Sequence, residues 1–403
     1  MARISKRTLL YRKPGRRPSW DSKAGRRVLF LLWTAISLAI FIYSYGFVDF
    51  NLTLSSNPAV MSFVTWAQSL AMFNRPLSLN VYLSLIFTLF VLYTATLRHW
   101  STGALKQFPW KFIGLIAIIL AFSYPFLSHD VFKYLFAGRM VVDYGLNPHI
   151  IPPNHIVGDD WLRFLRWVHT PSPYGPFMTI LAIIYYVLGM GKFVPTLYLF
   201  KLDQIAWYGL AIFLIGKLSN KITKDKSKVV LSQLIFALNP LILIEWLVNA
   251  HNDAPMITLM LLSIYLLTQK KRLSSFFALT FSVGIKYVTI IFLPFIFLKK
   301  KFSTKFIVHY LLLILTLTPL LYRYSFQYQP WYVTWLIPLV AILPLFPLTY
   351  IVIAYSFGSL LRYIPFIRTG LWGATPSAFA LYSFAPPIFV ALIIFITRRL
   401  RRL

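Results

Sequence analysis

Residues 128–155, SHDVFKYLFAGRMVVDYGLNPHIIPPNH, gather two Asp, a Lys, an Arg and three His in a 403-residue chain that has only ten acids and seven His. Carboxylates and imidazoles move protons. Lys and Arg hold anions, and amides hydrogen-bond hydroxyls. Asp130, His129, Lys133 and Arg139 are therefore candidates for chemistry on a polar substrate. A second group, EWLVNAHNDAPM, sets Asn249, His251, Asn252 and Asp253 within one short turn between apolar runs. A third, FQYQPWYVTWLIP, places Gln327 and Gln329 beside Trp331, Tyr332 and Trp335. Each has a plainer alternative. The first could be an interfacial helix with snorkelling charges. The second could be a polar turn in which Asn252 or Asp253 caps a helix with Pro255 just inside it. The third could be an aromatic belt, although a belt leaves the two Gln unexplained. A divalent metal on the Asp and His groups is not favoured, because no His-x-x-x-His spacing occurs. The chain has no Cys, which excludes disulfides, thiolate nucleophiles and Cys-ligated metals. No cofactor is expected.

The elements that must position these residues are membrane helices. The chain is 58% hydrophobic and 18% aromatic, with a mean hydropathy of +0.69. Apolar runs near the ~20 residues that a bilayer requires recur at 28–48, 79–97, 112–127, 229–247, 306–321 and 380–397. Strict alternation, the mark of a membrane β-barrel, is absent. The expected fold is an all-α polytopic membrane protein with roughly 11–13 membrane helices. It divides into a basic cytoplasmic tail, 1–27, and a single integral membrane domain, 28–403, whose first large outer loop spans 128–173.

The net charge of +30 belongs to topology rather than to nucleic acid. Of the 40 Lys and Arg, 29 fall in segments 1–27, 98–111, 217–228, 270–272, 299–305 and 398–402. Eight fall on the opposite side: Arg75, Lys133, Arg139, Arg163, Arg166, Arg323, Arg362 and Arg368. By the positive-inside rule both termini are cytoplasmic in a cell membrane, and loop 128–173 is extracytoplasmic. The basic tail would touch anionic membrane lipid. Charge parity puts 174–190 at the outer interface or in a re-entrant position and lets 195–216 cross. Residues 273–298 are flanked by cations at both ends, so they should form a hairpin of two short helices with Lys286 near the tip. A cation at that depth should face protein or a water-filled cavity.

Six of the ten acids, Asp130, Asp143, Asp159, Asp160, Glu245 and Asp253, then lie on the outer side. Five of the seven His, including His129 and His251, join them. Asp203, close to Lys201 in a membrane helix, is expected to form a local charge pair with it. Phe132, Leu135 and Phe136 form an apolar stripe that suggests an amphipathic interfacial helix starting near Asp130.

The blocks SHDVFKYLFAGRMVVDYGLNPHIIPP, HTPSPYGPF, LNPLILIEWLVNAHNDAPM, GIKYVTIIFLPFIF and QPWYVTWLIPL together resemble bacterial polyprenol-phosphate-mannose-dependent α-mannosyltransferases of the GT-C fold. The likeness covers about 110–345. Ser128, Asp130, Lys133, Tyr134, Gly138, Arg139, Asn147, Pro148 and Tyr174 match the family pattern. The family's Tyr-Pro-Pro is Tyr174-Gly175-Pro176 here, and Tyr287 follows Lys286 where Pro is usual. The resemblance implies a catalytic first outer loop with an essential Asp, juxtamembrane helices and inversion at the anomeric carbon. On that basis Asp130 is the base, and Arg139 and Lys286 bind phosphate. His251 and Asp253 hold sugar hydroxyls. Ser128, His129, Lys133, Tyr134, Asn147, Tyr174, Asn249, Asn252, Gln329 and Trp331 line the substrate. The donor would be a polyprenyl-phosphate hexose, mannose by the resemblance, and the acceptor a lipid or glycan. Two alternatives stay open. One is a polyprenyl-linked sugar flippase or transporter, which would need inverted repeats. The other is an undecaprenyl-diphosphate-dependent glycan ligase or polymerase, for which Arg163, Arg166 and His169 speak.

Overall fold

The structure is a computed structural model, described over residues 23–49, 57–100, 107–298, 302–321, 328–344, 347–371 and 376–400. Gln327, Arg323 and most of the 1–27 tail lie outside the described residues. Among the described residues there is no strand. The helices are α1 (Lys23–Tyr45), α2 (Pro58–Ser69), α3 (Arg75–Trp100), α4 (Trp110–Ala121), α5 (Asp130–Tyr144) and α6 (Pro176–Leu188). After these come α7 (Phe193–Thr223), α8 (Lys226–Ala237), α9 (Pro240–Ile242), α10 (Asp253–Thr268), α11 (Arg272–Ile285) and α12 (Leu293–Phe297). The last six are α13 (Thr304–Leu321), α14 (Pro330–Val333), α15 (Ile337–Ile342), α16 (Leu348–Leu361), α17 (Ile364–Thr369) and α18 (Pro376–Leu400). Helix α9 runs on into a π-helical turn, Leu243–Val248, and a 3-10 helix, Tyr287–Phe292, precedes α12.

The all-α polytopic membrane fold is what the chain adopts. Among the described residues five helices are long and apolar enough to cross a membrane, six if α8 and the α9 segment form one span bent by 48°. The expected 11–13 is reached only by counting the shorter apolar helices of 10–17 residues as well. Residues 112–127 illustrate why. Their apolar run is bilayer-length, but α4 stops at Ala121, and 122–129 lead into α5 as irregular chain.

The core centres on 230–261, where every residue is buried. Tyr93 and Tyr208 donate to the Ile235 and Ala237 carbonyls there, at 2.7 and 2.5 Å. Helices α10 and α11 are joined by Ser263 and Ser275, whose hydroxyls lie 2.9 Å apart, each within reach of the other's carbonyl at 2.7 and 2.8 Å. Small hydroxyl residues let helices approach closely where apolar burial gives no preference between helix and lipid. Helix α11 folds back as the expected hairpin: Arg272 reaches the Leu298 carbonyl at 3.4 Å, and Lys286 sits at the joint.

Two local expectations are corrected. Lys201 and Asp203 do not pair. Lys201 is fully buried and donates to the Leu247 and Val248 carbonyls at 3.0 and 2.5 Å, while Asp203 accepts from Trp207 at 2.5 Å. Two residues apart on a helix is about 200°, so the two side chains face different neighbours. Helix α5 is not a surface helix with one polar face. Residues 130–138 are all buried, because α6 covers one flank and the loop after α5 covers another.

Candidate active site

Asp130 opens α5, where Ser128 Oγ accepts from its backbone N–H at 3.3 Å. The residue is 8% exposed, and its carboxylate accepts from the Tyr174 hydroxyl at 3.2 Å. Burial raises the Asp130 carboxyl above the ordinary carboxylate range, against the opposing pull of Lys286, Tyr174 and Lys133. One turn on, Lys133 donates to Thr170 Oγ1 at 2.7 Å and to the Thr170 and Trp167 carbonyls at 2.9 and 3.1 Å. It thereby straps the far end of the loop onto α5, and burial pushes it down to about 8. His129 is pushed down to about 4 by burial, with Arg166 adding to the effect; its ring lies 5.6 Å from that of Phe132.

Tyr174 is placed by glycine. Gly175 N–H donates to the Ile285 carbonyl at 2.9 Å, and a Cβ at Gly175 would overlap the Gly284 carbonyl. Pro176 then starts α6 at a position that needs no N–H partner. The same contact fixes the end of α11. Lys286 is extended at φ −151°, ψ 122°, with Ser282 Oγ bonding Met256 O at 2.7 Å and meeting Thr289 Oγ1 at 2.9 Å. So held, Lys286 Nζ reaches Asp253 Oδ1 and Oδ2 at 2.9 and 3.0 Å. The rings of Tyr174, Tyr332 and Trp335 lie 5.7–5.9 Å from the same nitrogen, an aromatic surround for a cation. Trp335 Nε1 also donates to Asp253 at 2.5 Å. Asp130 and Lys286 thus flank one tyrosine from two different helices.

The turn before α10 forms the floor. Ala250 has a positive φ of 56°, a strained conformation of the kind that clusters at functional sites. Asn249 accepts from Leu127 N at 3.3 Å and donates to Glu245 at 3.1 Å, tying the turn to the entry of α5. Asn252 stands at the N-cap position of α10 but makes no side-chain cap; its amide oxygen accepts from Tyr134 at 3.3 Å instead. The capping expectation gives way to a tertiary contact. His251 is 1% exposed and stacks on Trp331 at 4.4 Å, with burial and then Lys286 holding its imidazole below its ordinary range. It lies behind Trp331 rather than at an open surface. Gln329 is half-buried ahead of α14.

Two expected residues lie elsewhere. Arg139 is nine residues, about 180°, around α5 from Asp130. It binds Asp159 at 2.6 Å and Asp143 at 3.7 Å and covers Trp161 at 4.9 Å. It is a clasp for the loop, not a companion of Lys286. Asn147 is exposed and accepts from His149 N at 2.9 Å in a local turn. Sequence reasoning had left Tyr332 and Trp335 to an aromatic belt and had passed over Thr170. Trp335 had a signal, since it follows Trp331 by four residues and shares its face. Thr170 had none, because its bond to Lys133 spans 37 positions. Among the described residues no cluster of three or more metal-binding side chains is present.

A family model described as Alpha-(1->6)-mannopyranosyltransferase, N-terminal domain, matches residues 33–300. Alpha-(1->6)-mannopyranosyltransferase A of Mycobacterium tuberculosis (strain ATCC 25618 / H37Rv) is 27% identical over 203 residues. That alignment covers 49% of this chain and 38% of the relative, so it spans well under half of that protein's length. No solved structure matches. The matched segment holds α5, the Tyr174–Gly175 turn, the 249–253 turn and Lys286, the elements that meet around Asp130, and the chain belongs to the Alpha-(1->6)-mannopyranosyltransferase family.

Proposed function

We propose that this protein transfers mannose from a polyprenyl-phosphate donor to a lipid or glycan acceptor at the outer face of the cell membrane, with inversion. The carrying observation is the buried Asp130–Tyr174 pair beside Lys286 and Asp253 in a chain with few charges of either sign at depth. An acceptor hydroxyl oxygen attacks C1 of the sugar and its proton passes to Asp130. The C1–O bond to phosphate breaks, and the polyprenyl phosphate leaves with that electron pair. Lys286 stabilises the charge that develops on the phosphate. It does so by exchanging partners: the phosphate takes the place of Asp253, and Asp253 is released to accept from sugar hydroxyls. A single base and direct attack imply inversion. Arg139, occupied by Asp159, has no part in this step. Trp331 and Gln329, at the edge of the same group, are placed to meet the acceptor.

Membranes containing the protein, given either polyprenyl-phosphate-[radiolabelled mannose] or a nucleotide-linked mannose, test the reading. Label should pass to endogenous acceptor from the lipid donor alone. Transfer from the nucleotide sugar, with none from the lipid donor, would overturn it. Movement of the labelled donor across the bilayer without any new glycosidic bond would favour the transporter.

A further inference from the structure

Arg362 has no part in the transfer described above, yet it is a cation only 5% exposed, at the end of α16. The other cations of the site and its loop are answered: Lys286 by Asp253, Arg139 by Asp159, and Lys133 by the Trp167 and Thr170 carbonyls. Nine of the ten acids lie among the described residues, and none of them pairs with Arg362. The tenth, Asp21, is in the N-terminal tail. A guanidinium has five N–H groups. Among the described residues Arg362 uses one of them, donated to the Tyr328 carbonyl at 3.0 Å, and its Cζ lies 4.2 Å from the centre of the Phe379 ring. The end of a helix offers a cation only about half a negative charge. A buried guanidinium without a counter-anion is costly, and its planar fork matches a phosphate.

Beyond Arg362 the surface is apolar. Gly358 stands one turn before it, and a Cβ there would overlap the Ser383 carbonyl, so this face of α16 is turned onto α18. On α18 an open groove of about 500 Å³ begins at Ala380, the residue after Phe379. It runs by Phe384, Ala385 and Ile388 to Leu392, and its lining side chains are all apolar. At 1.5 Å per residue that is roughly 18 Å, more than half of the ~30 Å hydrocarbon layer. Phe384 also meets the Tyr328 ring at 6.1 Å, so the groove and the arginine share a wall. Tyr328 in turn lies 5.7 Å from Tyr332, whose ring is 5.8 Å from Lys286 Nζ.

We propose that Arg362 and the α18 groove seat the lipid half of the donor: Arg362 holds the phosphate, and the polyprenyl chain lies along 380–392. The inference rests on the lipid-linked donor proposed above and gives it a place. A sugar phosphate without a tail would leave the groove empty, and a neutral lipid would leave Arg362 unanswered. A bilayer phospholipid has both parts, but the aromatic contacts from Tyr328 through Tyr332 to Lys286 join this seat to the active-site group, which favours the donor. By the charge distribution Arg362 is at the outer end of its span, so the groove descends from it into the bilayer. The two cations then divide the work. Arg362 supplies affinity for the phosphate of the intact donor, and Lys286, released from Asp253, answers the charge that develops as the C1–O bond breaks.

The test is the kinetics of mannose transfer by four full-length proteins in membranes: wild type, Arg362→Gln, Arg362→Lys and Ala385→Trp. Glutamine keeps an N–H for the Tyr328 carbonyl and removes the charge. Arg362→Gln should raise donor KM about tenfold or more with kcat little changed, the effect of losing a charge-assisted hydrogen bond. Its melting temperature should not fall, because a buried charge without a counter-anion is removed. Arg362→Lys should lie between, since a point charge does not reproduce the fork. Ala385→Trp fills the groove. It should raise KM for a full-length polyprenyl-phosphate mannose and leave KM for a short-chain analogue unchanged. Polyprenyl phosphate without sugar should inhibit wild type competitively and lose the same factor in Arg362→Gln. A merely structural arginine would give a lower melting temperature and kcat with donor KM unmoved, and that result overturns the proposal. So does phosphatidylglycerol that competes as well as polyprenyl phosphate, which would make this a general seat for anionic lipid. If Arg362→Gln does not accumulate, Ala385→Trp decides, and a KM unchanged for both donor lengths overturns the proposal. Wild type that fails to use the lipid donor removes the proposed function as well, whereas an unmoved donor KM in an active Arg362→Gln removes this inference alone.

Discussion

At Lys286 the energetics separate binding from folding. Its partner Asp253 has no exposed side-chain surface, so removing the cation leaves a buried carboxylate unpaired, at a cost of about 3–5 kcal/mol. Lys286→Met should therefore reduce both stability and transfer. Lys286→Met combined with Asp253→Asn, which removes both charges, should recover thermal stability toward wild type while transfer stays at least ~100-fold down; recovery of both would make Lys286 structural. Asp130 carries its own pH signature. A base works only when deprotonated, and burial raises its carboxyl, so activity should fall on acidification at a pH above the ordinary carboxylate range. A rate that stays flat down to about pH 4 would mean that another group takes the proton. These two residues were legible in the sequence because a charge is conspicuous in hydrocarbon. Arg139 was equally conspicuous and misleading, since residue type does not say which way a side chain turns. Nine helical positions from Asp130 put it on the opposite face, against an Asp159 that only the folded loop brings near.

The elements owe their positions to small residues. The closest approach between the two halves of the site is at Gly175 and Gly284, where α6 begins and α11 ends. Gly175→Ala would force a Cβ into the Gly284 carbonyl, a strain of about 1–3 kcal/mol, and push Tyr174 away from Asp130. We expect a lower melting temperature together with a larger loss in kcat than in donor KM. Gly114→Ala, in α4 with open space around it, should change neither, and serves as the control. A Gly175→Ala protein with wild-type turnover would show that the spacing of Tyr174 and Asp130 is not critical. The α11 hairpin could be read from sequence, because cations at both ends of one apolar run require it to return. Helix α5 could not. Its apolar stripe fits an interfacial helix, but the strap from Lys133 to Thr170 and the cover from α6 bury the polar side as well.

For the whole molecule, the all-helical fold and the run of bilayer-length segments follow from hydropathy, while the shorter helices do not, because irregular chain such as 122–129 is as apolar as a helix. Topology is the global consequence of the charge distribution. In this Cys-free background, Asn154→Cys should react with an impermeant thiol reagent in intact cells, and Lys226→Cys, at the exposed first residue of α8, should react only after lysis. The reverse pattern would turn the active site toward the cytoplasm. All of these expectations depend on one claim, that the chain transfers mannose with Asp130 as its base. The most direct measurement is the initial rate of transfer from polyprenyl-phosphate-[radiolabelled mannose] by wild type, Asp130→Asn and Asp143→Asn at equal membrane abundance. The amide keeps the size of the carboxylate and most of its hydrogen bonding, but cannot take a proton. Asp130→Asn should be at least ~100-fold slower with donor KM little changed. Asp143→Asn, three and a half turns along α5, should retain most of the activity. Transfer by Asp130→Asn at close to the wild-type rate would contradict the mechanism.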